Sequence, residues 1–349
     1  MTSEMKRVLR IKRLMASLLM GGGRRIGGAI KIRGVRGFPI LTYHKIVPLE
    51  EVRDGIDSML CVEPKRFASH VRFLKRHFRM LSLKQVFEDP EGTFSSADGK
   101  PGCVLTFDDG TVDFYDYAYK VLSEHQVPAT LFIPTGYVGT DRELWTIRLQ
   151  RLLGKILEKG VPDQNKPKPI HPLAAALEIE DGALKNRIGL LADAIKRLSV
   201  KETEQILSAL SIRWDIPERR SPGRVFLSWE EVREVADSGL VDIGSHTQDH
   251  LILSKVSKAE IEHQLNRSKR TLIREGLCRR TFIPFAYPNG EHDRSVRRMV
   301  KEAGYCAATT TRLGWNVRGY DPYCLKRIGV YQTVSESDIL FGCRILGLL

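Results

Sequence analysis

Short runs of apolar residues alternate along the chain with longer stretches in which apolar residues recur every three or four positions. The short runs are typical of buried parallel strands, and the periodic stretches are typical of crossover helices. The pattern therefore predicts an α/β protein in which about seven parallel strands form a distorted (β/α) barrel. The predicted strands are FPILTYH (38–44), CVLTF (103–107), ATLFIP (129–134), VDIGSH (241–246), FIPFAYP (282–288), CAATTT (306–311) and LKRIGV (325–330).

The predicted helices also indicate the domain organisation. Two of them begin with a serine followed three residues later by glutamate, Ser228 with Glu231 and Ser257 with Glu260, which is a capping-box pattern. Between about 140 and 224 the helical periodicity continues without a strand-like run. We therefore predict one barrel over residues 37–349, with a helical insertion at about 140–224.

The net charge of the chain is concentrated near its start. The sequence has 55 Lys and Arg against 42 Asp and Glu, a net charge of +13, and residues 1–36 alone have ten basic residues against one acidic residue. Within this leader, VLRIKRLMASLLM (8–20) spaces apolar residues at helical intervals among cations, which is typical of a helix on an anionic membrane surface. A solvated tail is the alternative. We predict a basic amphipathic leader, 1–36, with peripheral membrane contact.

Other features of the leader and the cysteines bear on location and partners. The apolar run 14–20 is too short to span a membrane, and the following GGGRRIGG is a poor signal-peptide cleavage site. The six cysteines have no paired spacing that would predict a disulfide framework or a zinc ribbon. These features favour a cytoplasmic protein, peripheral on the inner face of the membrane. Because residues 1–36 contain no aromatic residue for base stacking, no nucleic-acid partner is predicted.

Two adjacent aspartates, Asp108 and Asp109 in LTFDDG (105–110), directly follow a predicted buried strand. Neighbouring carboxylates repel each other and are costly to desolvate, so this position needs an explanation. A simple turn, with Gly110 supplying a positive φ, is one explanation. A metal site is the other.

A histidine pair at another strand end favours the metal site. His246 ends the predicted strand 241–246, and His250 follows it in SHTQDH. Two imidazoles and one carboxylate form a mixed ligand set that is common for zinc. In a parallel barrel the carboxyl ends of all strands open on one face, so the aspartates and histidines should converge there. FAYPNG (285–290) and His44 end two further strands.

TFDDG, HTQDH and FAYPNG, in this order, resemble the first three motifs of the polysaccharide deacetylases, carbohydrate esterase family 4. The resemblance covers about residues 38–135 and 225–345. It implies that Asp109, His246 and His250 bind a divalent metal ion, Zn²⁺, and that Asp108 is the general base for the attacking water. It also implies that the metal and a backbone N–H near Tyr287 and Pro288 hold the oxyanion.

The sequence departs from the family pattern at two positions. The arginine that usually orients the base in the third motif is replaced by Ala286, and the late strand has Arg327 where a catalytic histidine is usual. LTYHKI resembles instead a subgroup similar to poly-β-1,6-N-acetylglucosamine deacetylases, in which an early Tyr-His supplies the acid. The resemblance therefore assigns the general acid to His44, with a buried structural histidine as the alternative. Asp249 is interpreted as a loop carboxylate that orients a ligand histidine.

The resemblance predicts a carbohydrate deacetylase, a metal-dependent hydrolase that removes N-acetyl or other small N-acyl groups from a carbohydrate. An O-acetyl esterase or a deformylase of a lipid-linked sugar is the first alternative, because the basic leader suits a substrate at a membrane. The absence of the third-motif arginine and of the late histidine leaves a second alternative, a non-catalytic carbohydrate-binding member. The expected partner is an acetylated glycan or a lipid-linked sugar.

Overall fold

The computed structural model of the protein describes residues 37–51, 60–94, 99–160, 165, 191, 194–195, 198–217, 224–277 and 282–349. The predicted leader, 1–36, lies outside the described residues, as does most of the predicted insertion between 161 and 197. Within the described residues, no helix is both long enough and apolar enough to cross a membrane.

The strands are short and mostly buried. The described residues form β1 (Ile40–Tyr43), β2 (Lys45–Ile46), β3 (Cys61–Val62), β4 (Arg79–Leu81), β5 (Gly102–Phe107), β6 (Ala129–Ile133), β7 (Val241–Ser245), β8 (Pro284–Ala286), β9 (Ala307–Thr309) and β10 (Ile328–Gly329). Each of the seven predicted strand segments overlaps one of them. The short strands β2, β3 and β4 were not predicted, because two or three residues are too few to establish a sequence period.

One parallel sheet forms the centre of the protein. Its order is β10-β1-β5-β6-β7-β8-β9, and β4 pairs with the first half of β5. Thr309 in β9 also forms a parallel bridge with Leu325, just before β10, and β10 pairs with β1 at the other side of the sheet. This closing contact curls the sheet into a distorted barrel. The predicted fold class is confirmed.

Helices surround the sheet and follow its strands. They are α1 (Pro64–His77), α2 (Leu83–Glu88), α3 (Pro90–Thr93), α4 (Tyr119–His125), α5 (Trp145–Lys159), α6 (Val200–Arg213), α7 (Trp229–Asp237), α8 (Lys258–Arg274), α9 (Arg294–Glu302) and α10 (Asp338–Ile345). The capping box predicted at Ser228 is complete in α7, whereas at α8 Ser257 accepts the Glu260 N–H. In the predicted insertion, α5 and α6 pack around a separate apolar cluster that includes Leu152, Ile156 and Leu207.

The alternation of side chains along β5 determines which residues reach the interior of the barrel. Val104 belongs to an apolar cluster with Ile40 of β1 and Phe132 of β6, whereas Leu105 and Phe107 pack in the larger cluster beneath the helices. Because side chains alternate along a strand, Thr106 and then Asp108 follow Val104 on the interior side. The barrel interior is thus apolar at one end and polar where β5 ends.

Candidate active site

The predicted site residues meet where the strands end. His44 follows β1, Asp108 and Asp109 follow β5, and His246 follows β7, with His250 four residues further along. Asp109 and His250 have positive φ angles of 74° and 55°. Such backbone conformations are uncommon for non-glycine residues and cluster at functional sites, where the surrounding structure holds them. The turn explanation and the metal explanation for the two aspartates are therefore compatible.

Asp109, His246 and His250 form a group whose ligand atoms all lie within 4.8 Å of one another. The Asp109 Oδ1 atom lies 3.7 Å from His246 Nε2 and 3.3 Å from His250 Nε2. His246 is buried, and its Nδ1 lies 2.8 Å from the Ala286 carbonyl oxygen, which can only accept a hydrogen bond. Nδ1 therefore donates, and the lone pair of Nε2 faces Asp109. This is the tautomer that a metal ligand requires.

The electrostatics of this group also fit a divalent cation. Burial, together with the neighbouring His250, lowers the pKa of His246 to about 4. The imidazole is therefore neutral at pH 7, as metal ligation requires. Although burial opposes ionisation of Asp109, its hydrogen bond with His250 holds the pKa of this carboxyl below its usual range. Two imidazole nitrogens and one carboxylate oxygen form a ligand set that suits zinc and related ions.

Arg327 binds Asp108 through two parallel hydrogen bonds. Its guanidinium nitrogens donate to Asp108 Oδ1 and Oδ2, each at 2.7 Å, and its Nε donates to the Thr310 carbonyl at 2.9 Å. The arginine side chain is 1% exposed and the aspartate side chain 3%. Burial alone would raise the pKa of Asp108, but the Arg327 guanidinium, together with the nearby His246 and His44, holds that pKa below its ordinary value. Asp108 is therefore ionised at neutral pH.

This contact replaces the one expected from the third motif. Ala286 is fully buried in the interior apolar cluster and cannot orient a carboxylate with its side chain. Arg327 reaches Asp108 from beside β10 instead. Arg327 stands out in the sequence only as the residue at the position of an absent histidine, and this role was not predicted. The available signal was a charged residue inside a predicted buried strand, since a buried charge requires a partner.

His44 lies at the edge of the same group. Its Nε2 is 3.9 Å from Asp108 Oδ2, and its side chain is 26% exposed. A structural histidine buried at a strand end was the alternative for this residue, and the partial exposure does not match it. His44 can therefore contact both solvent and a substrate bound beside Asp108, and its role as acid stays a prediction.

The backbone at Tyr287 and Pro288 is already engaged. The Tyr287 N–H donates to the Thr309 carbonyl at 3.1 Å across the β8–β9 pairing, and Pro288 has no N–H. The Tyr287 ring is buried and stacks on His292, with 4.6 Å between ring centroids. An oxyanion role for the Tyr287 N–H stays a prediction, and it requires this bond to open.

Asp249 contacts other partners than the ligand histidines. Its Oδ1 accepts a hydrogen bond from Arg142 at 2.9 Å, and its Oδ2 accepts one from Gln264 at 2.9 Å. The Asp249 backbone N–H donates to Gln264 Oε1 at 2.8 Å. The interpretation that Asp249 orients a ligand histidine is therefore wrong. Its carboxylate turns away from the metal group and ties the loop after β7 to α8 and to the loop after β6.

Comparison with known proteins agrees with this geometry. A family model described as polysaccharide deacetylase matches residues 95–165 and 171–308, more than half of the chain. The Bacillus subtilis protein YxkH, whose name assigns it provisionally to the polysaccharide deacetylases, is 22% identical over 320 residues, which cover 90% of this chain and 78% of YxkH.

Two further similarities concern a short stretch of sequence and the fold. A poly-β-1,6-N-acetyl-D-glucosamine N-deacetylase of Staphylococcus aureus is 34% identical over 82 residues, which cover 23% of this chain and only 27% of that relative. Among solved structures, the polysaccharide deacetylase BC0361 of Bacillus cereus superimposes with a TM-score of 0.55 and 20% identity, covering 89% of this chain and 69% of BC0361. This structural likeness supports the fold.

Proposed function

Because the chain belongs to the polysaccharide deacetylase family, a family of carbohydrate hydrolases, we propose that it removes N-acetyl groups from a glycan in a metal-dependent reaction. One observation carries the proposal. The group formed by Asp109, His246 and His250 adjoins an ionised Asp108 that Arg327 orients, with His44 beside it. A ligand set, a base and a potential acid thus occupy one end of the barrel.

The substrate class follows from the relatives and from the early Tyr-His. The Staphylococcus aureus relative is named for poly-β-1,6-N-acetyl-D-glucosamine, although the similarity is limited to 82 residues. The early Tyr-His, which ends in His44, resembles a subgroup similar to poly-β-1,6-N-acetylglucosamine deacetylases, so it suggests the same kind of substrate. We therefore propose an N-acetylglucosamine-containing glycan as the substrate. A lipid-linked acylated sugar is the alternative, on the ground of the basic leader.

The metal requirement rests on the ligand group. Asp109, His246 and His250 would hold a divalent cation, with Zn²⁺ proposed from the mixed nitrogen and oxygen ligands. When bound, the cation supplies positive charge that acidifies water and polarises the acyl carbonyl. The Ala286 carbonyl fixes the His246 ring for this role.

Asp108 and His44 carry out the two proton transfers of the reaction. Asp108 accepts a proton from the attacking water, and the two hydrogen bonds from Arg327 keep its carboxylate ionised and fixed in orientation. His44 donates a proton to the departing nitrogen, since an amine leaves poorly unless it is protonated as the bond breaks. Its partial exposure places it where a surface-bound glycan can reach it.

The test is metal analysis of the purified full chain combined with product release. The panel contains N-acetylglucosamine oligomers, O-acetylated sugars and formylated lipid-linked sugars, assayed for acetate and formate. Metal-dependent acetate release from the N-acetylated oligomers is the expected result. Acetate from O-acetylated sugars alone, formate alone, or metal binding without any turnover would each contradict the proposal and favour the corresponding alternative. For variants that remove a site carboxylate, such as Asp108→Asn, the matched control is Asp237→Asn at an exposed position on α7.

The leader adds a proposal about location, namely that residues 1–36 hold the enzyme on an anionic membrane surface at the cytoplasmic side. Ten basic residues and a helical spacing of apolar residues support this. Deleting 1–36 should weaken binding to phosphatidylserine vesicles and leave hydrolysis of a soluble substrate nearly unchanged. Equal vesicle binding by both forms would rule out the membrane contact.

A further inference from the structure

A second cluster of reactive side chains lies outside the barrel, behind the third motif. The Cys324 Sγ atom is 3.3 Å from His292 Nε2 and 3.5 Å from an Arg297 guanidinium nitrogen. The same Arg297 nitrogen donates to Asp321 Oδ2 at 2.8 Å. Cys324 and His292 are partly buried, and the Arg297 and Asp321 side chains are 40% and 42% exposed. A small solute can therefore reach the cluster.

The protonation state of His292 is determined by its surroundings. Its Nδ1 lies 3.2 Å from the Gly290 carbonyl oxygen, which only accepts hydrogen bonds, so Nδ1 carries the proton. Burial, together with the Arg312 and Arg297 guanidinium groups, lowers the pKa of His292. The neutral ring is therefore the resting form at pH 7, and the lone pair of Nε2 points at the thiol. A histidine in this arrangement can take the thiol proton.

Arg297 completes the environment of the sulfur. Its guanidinium donates a hydrogen bond to Sγ and places a positive charge directly beside the sulfur. Asp321 accepts from the same guanidinium and holds it in place next to Cys324. A cysteine beside both a histidine base and a fixed cation has the environment of a reactive thiol rather than of an inert core residue.

Other described cysteines have different environments. Cys103 and Cys343 are buried, and burial raises the pKa of each thiol. Cys306 is partly buried like Cys324, but burial raises the pKa of its thiol to about 12. Among the described residues Cys306 has no histidine or arginine contact like those of Cys324, so it provides an internal comparison within the same molecule.

We propose that Cys324 is a thiol nucleophile activated by His292 and Arg297, and that it is the residue at which this protein reacts with hydroperoxides. None of these three residues belongs to the metal group, so this proposal can be tested separately from the proposed deacetylase activity. Nothing in its chemistry requires a carbohydrate.

The reaction is balanced with a hydroperoxide as the oxidant. His292 Nε2 takes the proton of the Cys324 thiol, and the sulfur attacks the nearer peroxide oxygen. A sulfur–oxygen bond forms, the oxygen–oxygen bond breaks, and the sulfur is oxidised while the peroxide is reduced. The imidazolium returns its proton to the departing hydroxide, so hydrogen peroxide yields a sulfenic acid at Cys324 and one water.

The first experiment needs no variant. The folded full chain is treated with limiting hydrogen peroxide, sulfenic acid is trapped with dimedone, and the labelled cysteines are quantified by peptide mass spectrometry. Cys324 should be labelled at least about tenfold more than Cys306, and the ratio should approach one in guanidinium chloride, where the local environment is lost. Equal labelling of Cys324 and Cys306 in the folded protein would overturn the proposal.

Substitutions separate the two activating groups. His292→Phe keeps an aromatic ring against Tyr287 and removes the base, so it should slow labelling of Cys324 by about tenfold or more. Arg297→Gln should also slow it. The control is Arg298→Gln, which removes the same charge from an exposed neighbour on α9 that pairs with Glu302. Unchanged labelling in folded His292→Phe, or an equal effect of Arg298→Gln, would contradict the assigned roles.

Discussion

Arg327 and Asp108 form a buried, bidentate ion pair although they are 219 residues apart in sequence, and β1 lies between their strands in the sheet. Each guanidinium–carboxylate distance is 2.7 Å. A paired buried charge is tolerated because hydrogen bonds replace its lost hydration, whereas an unpaired one is costly. The pair therefore couples the stability of the barrel to the ionisation of its proposed base.

Arg327→Met should destabilise the protein and shift its pH profile. Removing one partner of a buried pair costs about 3–5 kcal/mol in free energy of unfolding. Without the guanidinium, burial raises the pKa of Asp108, so the acidic limb of the kcat/KM profile should move to higher pH. Urea unfolding and a pH series of kcat/KM test both effects.

The matched comparison for this pair is the double variant Asp108→Asn with Arg327→Met. Because both charges are then removed, it should be less destabilised than the sum of the two single variants. Arg327→Lys is a second comparison, since lysine keeps the charge but not the two parallel hydrogen bonds. Strict additivity of the single effects would show that the pair is not coupled.

The adjacent aspartates should have separable roles. Asp109→Ala should lower metal affinity, because it removes the carboxylate from the ligand group. Asp108→Asn should retain metal and lower turnover by roughly 10²–10⁴-fold, the range for a lost general base. Metal content by mass spectrometry and kcat on an N-acetylglucosamine oligomer distinguish the two. An equal loss of metal in both variants would contradict the division of roles.

His44→Ala should affect amide and activated ester substrates differently. An amine must be protonated to leave, whereas a phenolate leaves without help, so kcat/KM should fall by roughly 10²–10⁴-fold for an N-acetyl sugar and far less for an aryl acetate. Both rates are measured on one folded, metal-loaded preparation. Parallel losses on the two substrates, together with a lower Tm, would instead assign His44 a structural role.

Asp113 should make stability depend on pH. Its buried carboxylate accepts the Ile46 N–H at 2.8 Å, and burial raises its pKa from 3.8 to about 6. The folded state therefore binds this proton more tightly than the unfolded state. Its contribution to stability is full below about pH 4 and is lost as pH rises through 6, amounting to roughly 2–3 kcal/mol.

The measurement is the free energy of unfolding of wild type and Asp113→Asn from pH 4 to pH 8. Asparagine stays neutral and keeps an acceptor for Ile46, so it should gain stability relative to wild type as pH rises. Asp237→Asn, at an exposed position, should follow wild type throughout. Parallel curves for wild type and Asp113→Asn would contradict the prediction.

The sequence was sufficient for the fold class and for the family. Apolar runs at the seven predicted strands were long enough to identify them, and the three motifs after strands identified the family that the comparisons confirm. The enzyme class, a carbohydrate deacetylase, is confirmed with it. Convergence of Asp109, His246 and His250 was also predictable, because parallel strands of a barrel open at the same end.

The sequence alone determined which residues lie at strand ends, because that follows from local apolar patterns and from turn residues such as Gly110. Only the tertiary structure decided which of them touch. The pairing of Arg327 with Asp108, the engagement of the Tyr287 N–H by Thr309 and the turn of Asp249 toward Arg142 each depend on the curvature of the sheet and on side chains far apart in sequence. Local patterns contain no information on such distances, since sheet closure arises from the packing of the whole barrel.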